Sequence, residues 1–597
     1  MLLFAIRRIS LQPSSYFLLP LRGVASPGSF LAKGLVSSAG MPAPKPPNVL
    51  VFTNEEHDSD QSRFNAVKET LNMCLSPDYY TVYLLSEQQV KTTPWLSNTK
   101  LLIVACKELS YTTTRIFTEY LLRGGSLLVM ASRVCLPSVT CSELYAQPRP
   151  TSVNYEYASG AHVMEGQSKY TFDSDSSVRT LASDQEGRGL IFEMRLKSGK
   201  GIALLSQIHL EYDPVFFSPS EDVFALLKKS NETRISIFRH ILSTRFHLNC
   251  DAKPQHKLSL GHIFSANKVV HDSILARIQS SATNGTVVNS ETAFRYITED
   301  QAKVVTATRD CLPIVLSSSE GLLSSDVFNS RIYFAALKTH NLGQTVLFVE
   351  NVTTTMTAVK ALCDAHGSVA VATRQLNGKG RGGNAWLGPA GCAMFTVCLH
   401  IPLQSPLGQR SPFVQHLAAL ALAKAVRNTD GYEGVNIRVK WPNDIYYETH
   451  AKIGGILVTS TVNKDTITCY IGCGLNVSNS QPTLCINDIA KVVSRNGKQE
   501  CPRPLTSEEV IAKALNELEF LVATFQGGGV NMILQDYYRY WLHGGQMVTL
   551  QSFGSKALIK GLDDYGYLVA VASGKEYKLQ PDGNSFDLMN NLIVMKA

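Results

Sequence analysis

After residue 47 the chain begins with short apolar runs that alternate with amphipathic helical segments. Strands that alternate with helices predict a parallel sheet with helices on both faces. We therefore assign residues 48–250 to one α/β domain. Its predicted strands are 49–53, 80–85, 101–105, 127–130 and 202–206, and its predicted helices are 60–75 and 115–122.

The periodicity weakens over residues 251–323, where turn-prone residues are frequent, and we expect a connector there that is partly ordered at best. Regular apolar periods return over residues 324–543 and predict a mixed sheet backed by helices. The predicted strands there are 346–349, 369–373, 395–399, 456–459 and 469–472, and the predicted helices are 355–362 and 412–426.

The last segment, residues 544–597, consists of short apolar runs separated by turns. This pattern favours a small SH3-like barrel. Its role stays open between a stabilising cap on the preceding domain and a contact surface for that domain's ligands. The predicted strands are 547–550, 557–559, 567–570 and 576–579.

The composition describes a globular protein with several domains. A chain of 597 residues exceeds what one core supports, and 44% hydrophobic with 18% charged residues excludes general disorder. The net charge of +7 is spread too thinly to indicate nucleic-acid binding. We expect no membrane span, because no apolar run reaches the roughly eighteen residues that one needs. The oligomeric state is not determined by these features.

The cysteines and the amino-terminal residues indicate the compartment. The 13 cysteines are dispersed without a C-x-x-C pair, which favours reduced thiols over disulfides or zinc. The first 54 residues contain Arg and Lys but no Asp or Glu, as in a mitochondrial presequence. Met41 precedes a Pro-rich spacer, and initiation there would yield a cytosolic form. We expect residues 1–47 to be a leader and spacer, with a basic leader that carries no address as the alternative.

Four glycines lie within residues 378–383. Glycines let a backbone approach phosphate closely and present several N–H groups to one anion, and Lys379 and Arg381 add positive charge. The spacing also fits the dinucleotide pattern G-x-G-x-x-G, which requires a helix directly afterwards. Two glycines and a proline within the next eight residues exclude that helix, and no Gly-Lys-Ser/Thr completes a Walker A motif. The loop is therefore predicted to be an anion cradle that opens and closes.

Further motifs follow this loop in a characteristic order. They are Lys440-Trp441-Pro442-Asn443-Asp444, Lys452-Ile453-Gly454-Gly455 and Ile471-Gly472-Cys473-Gly474-Leu475-Asn476. In order and approximate spacing, the loop and these motifs resemble the biotin protein ligase family, and its eukaryotic members most. The likeness extends through Tyr537-Tyr538-Arg539-Tyr540-Trp541 to Pro581-Asp582-Gly583-Asn584-Ser585-Phe586-Asp587. It covers residues 325–597 strongly and the amino-terminal half more loosely.

The resemblance implies two half-reactions. Such a ligase forms biotinyl-5′-AMP and pyrophosphate from biotin and ATP, with Mg²⁺ on the phosphates, and then transfers biotin to a lysine of a carboxylase's biotin carboxyl carrier domain. Carboxylate and triphosphate repel each other, so the cations Lys379, Arg381 and Lys452 suit this chemistry. A lipoate ligase of the same fold and a non-enzymatic scaffold or chromatin-associated binder are the alternatives.

The resemblance also implies site residues, although the protein ligands of Mg²⁺ remain unidentified. Lys452, Arg381 and Asp444 are implied as catalytic, with Lys452 between the biotin carboxylate and the α-phosphate. Asp444 would orient the intermediate or accept the proton of the incoming amine. The implied biotin-binding residues are Thr354, Thr355, Met356 (where bacterial members have Asn), Gln375, Lys379, Gly380, Arg381 and Lys452. The implied ATP- or adenylate-binding residues are Gly378, Gly382, Gly383, Trp386, Asn443 and Asn476.

The α/β domain over residues 48–250 carries its own candidate site. Cys135 follows the fourth predicted strand and His209-Leu210-Glu211 follows a later one, an order that looks like a class I glutamine amidotransferase. The turn around Cys135 lacks the glycines that tighten a nucleophile elbow. We therefore expect a non-catalytic domain of this type, with a regulatory or substrate-selecting role.

Overall fold

The computed structural model describes most of the chain between Pro46 and Met595. No helix within the described part is long and apolar enough to cross a membrane. The predicted leader, except for its last two residues, lies outside the described residues. Both ends of the predicted connector lie outside them as well. The described residues are 46–53, 59–76, 78–93, 95–143, 147–173, 177–196, 200–217, 220–250, 256–316, 328–497, 500–550, 554–581, 584–587 and 592–595.

The amino-terminal part forms a ten-stranded sheet with a separate two-stranded ribbon. Its strands are β1 (Asn48–Phe52), β2 (Thr81–Leu84), β3 (Thr99–Val104), β4 (Ser126–Met130), β5 (Val139–Glu143), β6 (Arg149–Tyr155), β7 (Ala158–Glu165), β8 (Ser168–Phe172), β9 (Ser177–Ser183), β10 (Gly189–Arg195), β11 (Ile202–Ser206) and β12 (Ile208–His209). Its helices are α1 (Ser59–Cys74), α2 (Glu87–Thr92), α3 (Tyr111–Leu122), α4 (Glu221–Lys229) and α5 (Asn231–Thr244).

The predicted parallel arrangement is confirmed for one half of this sheet only. The order is β12-β7-β6-β9-β10-β11-β4-β3-β1-β2, and the run from β11 to β2 is parallel. Helices α1 and α5 pack on one face with Leu71 and Phe238 buried, and α3 packs on the other with Phe117 buried. The other half is antiparallel and was not predicted, because strands such as β6 bury only alternate side chains and contain no apolar run.

The central sheet has twelve strands and carries most of the sequence motifs. Its strands are β13 (Gly261–Ser265), β14 (Thr286–Val288), β15 (Ala293–Ile297), β16 (Cys311–Val315), β17 (Thr345–Val352), β18 (Val369–Lys379), β19 (Ala385–Gly388), β20 (Cys392–Pro402), β21 (Ile437–Lys440), β22 (Asp444–Tyr447), β23 (Ala451–Asn463) and β24 (Thr466–Asn476). The helices are α6 (Lys268–Ser281), α7 (Glu299–Ala302), α8 (Ser330–Ala336), α9 (Thr355–Ala358), α10 (Phe413–Arg427), α11 (Ile486–Gly497), α12 (Ser507–Gly528) and α13 (Asn531–Tyr540).

Every strand and helix predicted within residues 324–543 is present, most of them longer than predicted. The predicted connector over residues 251–323 is wrong for its described part. There, β13 pairs with β17 of the central sheet, and β14, β15 and β16 extend the same sheet. Phe264 and Phe294 from these strands are buried in its core. Strands of three to five residues separated by turns are too short to show a repeating period.

The carboxy-terminal part is a six-stranded sheet with the order β28-β27-β26-β25-β30-β29. His416 of α10 links it to the central domain, because its Nε2 donates to the Gly566 carbonyl at 3.0 Å and its Nδ1 accepts from the Tyr537 hydroxyl at 3.2 Å. Burial lowers the pKa of His416 to about 4, so the ring is neutral. The strands are β25 (Met547–Leu550), β26 (Ser555–Leu562), β27 (Leu568–Ala572), β28 (Lys575–Leu579), β29 (Asn584–Asp587) and β30 (Leu592–Met595).

Candidate active site

The glycine-rich loop is the tip of a β-hairpin formed by β18 and β19, which we call the glycine hairpin. Gly378 pairs with Trp386 across it, and the Gly380 N–H donates to the Asn384 carbonyl at 2.6 Å. Gly382 has a φ of 61°, a left-handed conformation that favours glycine. The predicted cradle is therefore the tip of a two-stranded hairpin and not a free loop.

The hairpin lies against a floor of glycines on β23 and β24. A Cβ atom at Gly474 would lie 2.6 Å from Cε2 of Trp386, and one at Gly455, its partner across the ladder, would lie 3.4 Å from Cζ3. A Cβ atom at Gly472 would lie 2.5 Å from Sδ of Met356. Residues two apart on a strand share one face. The Gly472-Cys473-Gly474 spacing therefore leaves one face of β24 without side chains at these positions, and we call this face the groove, with Met356 over one glycine and Trp386 over the other.

Lys452 and Asp444 meet at the edge of this groove. The Nζ atom of Lys452 lies 2.6 Å from Oδ1 of Asp444 and 5.5 Å from the centre of the Trp386 ring. Lys440 approaches the other carboxylate oxygen at 3.3 Å. Lys440, Asp444 and Lys452, from two neighbouring motifs, thus form one cluster, and Lys452 presents its ammonium beside the indole.

His543, which sequence reasoning missed, supports this cluster from beneath. Its Nε2 accepts the Trp441 backbone N–H at 3.0 Å, so the ring proton is on Nδ1, which faces Oε1 of Gln546 at 3.0 Å. Burial, helped by the nearby Lys440 ammonium, lowers the pKa of His543 to about 3. A neutral histidine therefore fixes the turn between Lys440 and Asp444. A single histidine outside any motif gave no signal for this role.

Four of the residues predicted to meet biotin, Thr354, Thr355, Met356 and Gln375, form a hydrogen-bonded set at the other end of the groove. Oε1 of Gln375 accepts from the Thr355 backbone N–H at 2.9 Å and from its hydroxyl at 3.3 Å. The Thr355 hydroxyl also accepts from Thr396 at 2.8 Å. Thr354 caps α9, its hydroxyl accepting the Met356 N–H at 3.3 Å. The turn is thus held rigidly against β18 and β20.

Glu291, in the segment predicted as a connector, contacts two parts of the site. Its Oε2 accepts from the Thr357 hydroxyl at 2.6 Å and lies 3.4 Å from Nζ of Lys379. Its Oε1 lies 3.7 Å from Nζ of Lys360. The Thr357 hydrogen bond, followed by the two lysines, holds the pKa of Glu291 below its usual range. The loop cation Lys379 is therefore paired with protein in this structure, which the sequence did not indicate.

Arg381 at the hairpin tip donates to the carbonyl of Pro581 in the carboxy-terminal part.

Two other predicted residues, Asn443 and Asn476, are hydrogen-bonded within the protein. Asn443 donates to the Ile456 carbonyl, while Asn476 donates to Thr483 and Leu484 and accepts from Asn479 and Cys392. The amide of Asn476 therefore has no group left for a nucleotide in this structure, and its predicted hydrogen bond to one would require rearrangement.

No cluster of three or more His, Cys, Asp or Glu side chains that could hold a metal ion occurs among the described residues. The buried indole N–H of Trp386, by contrast, has no hydrogen-bond partner in that same part of the chain. It is a donor available to a ligand in the groove.

The second candidate site, in the amino-terminal domain, differs from its prediction. The residue that turns the chain after β4 is Ala131, with a φ of 47°, and Cys135 is exposed four residues later, so Cys135 was wrongly placed at the elbow. His209 and Glu211 do pair, with Nδ1 2.8 Å from Oε1. A Cβ atom at Gly166 would lie 2.3 Å from the Cβ of Ala131, so Gly166 packs directly on the elbow.

Sequence comparison with known proteins identifies one family. The model of the Biotin/lipoate A/B protein ligase family matches residues 349–476. The chain is 36% identical over 575 residues to the human biotin–protein ligase, covering 92% of this chain and 78% of that protein. It is 33% identical to biotin–protein ligase 2 of Arabidopsis thaliana, covering 45% of this chain and 82% of that protein. The solved biotin protein ligase of Aquifex aeolicus, in complex with biotin and ATP, aligns with 41% of this chain and 97% of its own at 21% identity, with a TM-score of 0.32.

Proposed function

The chain belongs to the biotin protein ligase family and is an ATP-dependent ligase of biotin, and we propose the roles that its own residues take in that reaction. The first half-reaction joins the biotin carboxylate to the α-phosphate of ATP and releases pyrophosphate. Two anions must meet, so the site must supply positive charge between them. The observation that carries the proposal is the Lys452 ammonium, held at the edge of the groove by Asp444 and Trp386.

Lys452 bridges the carboxylate and the α-phosphate in this proposal. Asp444 is the orienting group, because its two oxygens already face Lys452 and Lys440 at 2.6 and 3.3 Å. A carboxylate held by two ammonium groups is poorly suited to accept a further proton from an amine. Of the two roles predicted for Asp444, orientation is therefore the better supported. ATP would bind as its magnesium complex, in which the metal would offset part of the phosphate charge that Lys452 and Lys379 also meet.

The biotin ring binds at the end of the groove formed by Thr354, Thr355, Met356 and Gln375, and the adenylate lies under the glycine hairpin. Lys379 leaves Glu291 to meet the bound anions, and Arg381 closes the tip of the hairpin. Closure excludes water, because hydrolysis of the acyl phosphate competes with transfer. Backbone N–H groups of Gly378, Gly380, Gly382 and Gly383 supply further donors to phosphate.

In the second half-reaction, a lysine of a biotin carboxyl carrier domain attacks the acyl carbon and AMP leaves. Members of this family act on such carrier proteins, and we propose the carrier domains of biotin-dependent carboxylases as the acceptors of this chain. The approach to the mixed anhydride lies at the open side of the groove. Which carboxylases are served depends on surfaces outside the groove.

Biotin-dependent exchange of labelled pyrophosphate into ATP tests the first half-reaction, and transfer of labelled biotin to a purified carrier domain tests the second. Lipoate is the matched comparison, because a lipoate ligase would use the same chemistry on a dithiolane acid. Exchange that requires biotin and not lipoate supports the proposal. Exchange with lipoate alone, or with neither acid, contradicts it.

For the outer domains, we propose a non-catalytic amidotransferase-like fold at residues 48–250 and an SH3-like barrel at residues 544–597. The first proposal is supported by Ala131, which has no nucleophilic atom, at the turn beside the His209–Glu211 pair. Release of ammonia from glutamine, lost in Cys135→Ser, would contradict it. The second is supported by the short antiparallel strands β25 to β28.

We further propose that the protein acts in mitochondria and in the cytoplasm. The support is the acid-free, arginine-bearing composition of the first 54 residues and the position of Met41 ahead of the first domain. Expression from Met41 should shift a tagged protein to the cytosol with unchanged specific activity. Mitochondrial import of that shorter form would refute the proposal.

A further inference from the structure

The amino-terminal domain touches the glycine hairpin through the hydroxyl of Tyr83. This oxygen donates to the carbonyl of Ala385 and accepts from the N–H of the same residue, both at 3.2 Å. Tyr83 lies on β2, an edge strand of the amino-terminal sheet, and Ala385 is the first residue of β19. A single hydroxyl thus satisfies both backbone groups of one residue in the hairpin.

A second contact reaches the other strand of the hairpin. Oδ2 of Asp78 lies 3.5 Å from a guanidinium nitrogen of Arg374 on β18, and both side chains are largely buried. Asp78 and Tyr83 are five residues apart, whereas their partners lie about three hundred residues away. The amino-terminal domain therefore contacts both strands of the hairpin from one short segment.

These contacts matter because strand pairing joins β19 to the rest of the sheet on one side only. Strand β19 pairs with β18 and lies off the main path of the central sheet. A two-stranded hairpin is marginally stable alone, and glycines add conformational entropy that closure must overcome. Ala385 is next to Trp386, whose indole covers Gly474 and borders Lys452. A contact at Ala385 thus acts on the residue next to Trp386, and Trp386 borders the Lys452 ammonium.

We propose that the amino-terminal domain braces the glycine hairpin in the position it takes in this structure, with Trp386 on Gly474, and that Tyr83 is a positioning residue for retention of the adenylate. This inference rests on the function proposed above. In this view the domain controls retention of biotinyl-AMP without touching it. Loss of the brace leaves the chemistry of activation in place but lets the hairpin open more often, so the intermediate escapes before an acceptor arrives.

The test uses the full-length protein with Tyr83→Phe, which keeps the ring and removes both hydrogen bonds. We expect the dissociation rate of biotinyl-AMP to rise on the order of tenfold, the effect of one to two net hydrogen bonds. Pyrophosphate released per biotin transferred to a carrier domain should rise, while the KM for biotin changes little. Hydrogen exchange in ligand-free protein should become faster in residues 375–388.

The matched control is Tyr80→Phe. The Tyr80 hydroxyl accepts the Asn249 N–H at 2.7 Å inside the amino-terminal domain. This variant loses a hydrogen bond of the same kind and should keep the wild-type dissociation rate. Should Tyr83→Phe fold poorly, Asp78→Asn supplies the same measurement, with a smaller rise of about threefold.

Three results would overturn the brace: an unchanged dissociation rate in both Tyr83→Phe and Asp78→Asn, an equal rise in Tyr80→Phe, or a change in Tyr83→Phe confined to the KM for the carrier domain. The last result would assign the segment to acceptor binding instead. Absence of biotin-dependent exchange in the wild type would contradict the proposed function itself, so the two failures are distinguishable.

Discussion

Gly474 lies so close beneath Trp386 that a Cβ atom there would come within 2.6 Å of indole atom Cε2. The glycine at this position is required for the indole to lie on the sheet, and the indole in turn borders the Lys452 ammonium. The groove therefore requires the G-x-G spacing on β24. The strand itself would be more stable with larger residues at these positions.

We expect Gly474→Ala to push Trp386 off the floor and to lower the rate of biotin-dependent pyrophosphate exchange by tenfold or more. Overpacking of this kind typically costs about 1–3 kcal/mol. The control is Gly527→Ala in α12, where a Cβ atom meets nothing within 4 Å and alanine favours the helix. Wild-type exchange in Gly474→Ala would show that Trp386 does not contribute to activation.

Lys452→Ala should abolish adenylate formation and leave the thermal unfolding midpoint nearly unchanged. The ammonium lies at the rim of a groove, so its loss removes charge stabilisation of the transition state, about 3 kcal/mol or more, without opening the core. Lys268→Ala, which removes an exposed lysine paired with Asp272 on α6, is the control. Near-normal exchange without Lys452 would rule out its proposed role.

Arg381→Gly should uncouple the half-reactions. Activation should survive in part through Lys379 and Lys452, but the hairpin tip loses its contact with the Pro581 carbonyl and its guanidinium fork. Released biotinyl-AMP would then label non-carrier proteins in a lysate, and its dissociation rate would rise. Arg381→Lys keeps the charge without the fork and should be intermediate. Labelling confined to the carrier domain in Arg381→Gly would contradict the proposed role of Arg381 in closing the hairpin tip.

The buried histidines predict an acid-sensitive fold. The pKa of His416 is lowered to about 4 and that of His543 to about 3, so the unfolded chain binds more protons than the folded one below about pH 6.5. Stability is therefore full above that pH and falls toward pH 4, by up to about 3 kcal/mol from His416 alone. Urea unfolding at several pH values should show this slope, and it should be shallower in His416→Gln. An equal slope in the variant would assign the acid sensitivity elsewhere.

The sequence motifs were sufficient to identify the family, to predict the chemistry and to name most residues of the cluster around Lys452 and Asp444. Lys440, Asp444 and Lys452 lie close along the chain on β21, β22 and β23, which are successive neighbours in the sheet, so their meeting follows from local strand pairing. Apolar periods likewise predicted the parallel strands of the first domain and five of the twelve strands of the central sheet, β17, β18, β20, β23 and β24.

Only the tertiary structure determined which distant residues join the site. Glu291 pairs with Lys379, Tyr83 hydrogen-bonds Ala385, and the Pro581 carbonyl accepts a hydrogen bond from Arg381. The two partners of each contact are 88 residues or more apart along the chain. Polar contacts of this range have no periodic signature, because they depend on how whole domains pack and not on local spacing. The same holds for Ala131 at the elbow, whose N–H donates to the distant Ser206 carbonyl and whose side chain packs against Gly166. Local pattern therefore specifies strands and motifs, whereas the supports that hold the site closed arise from packing between distant segments.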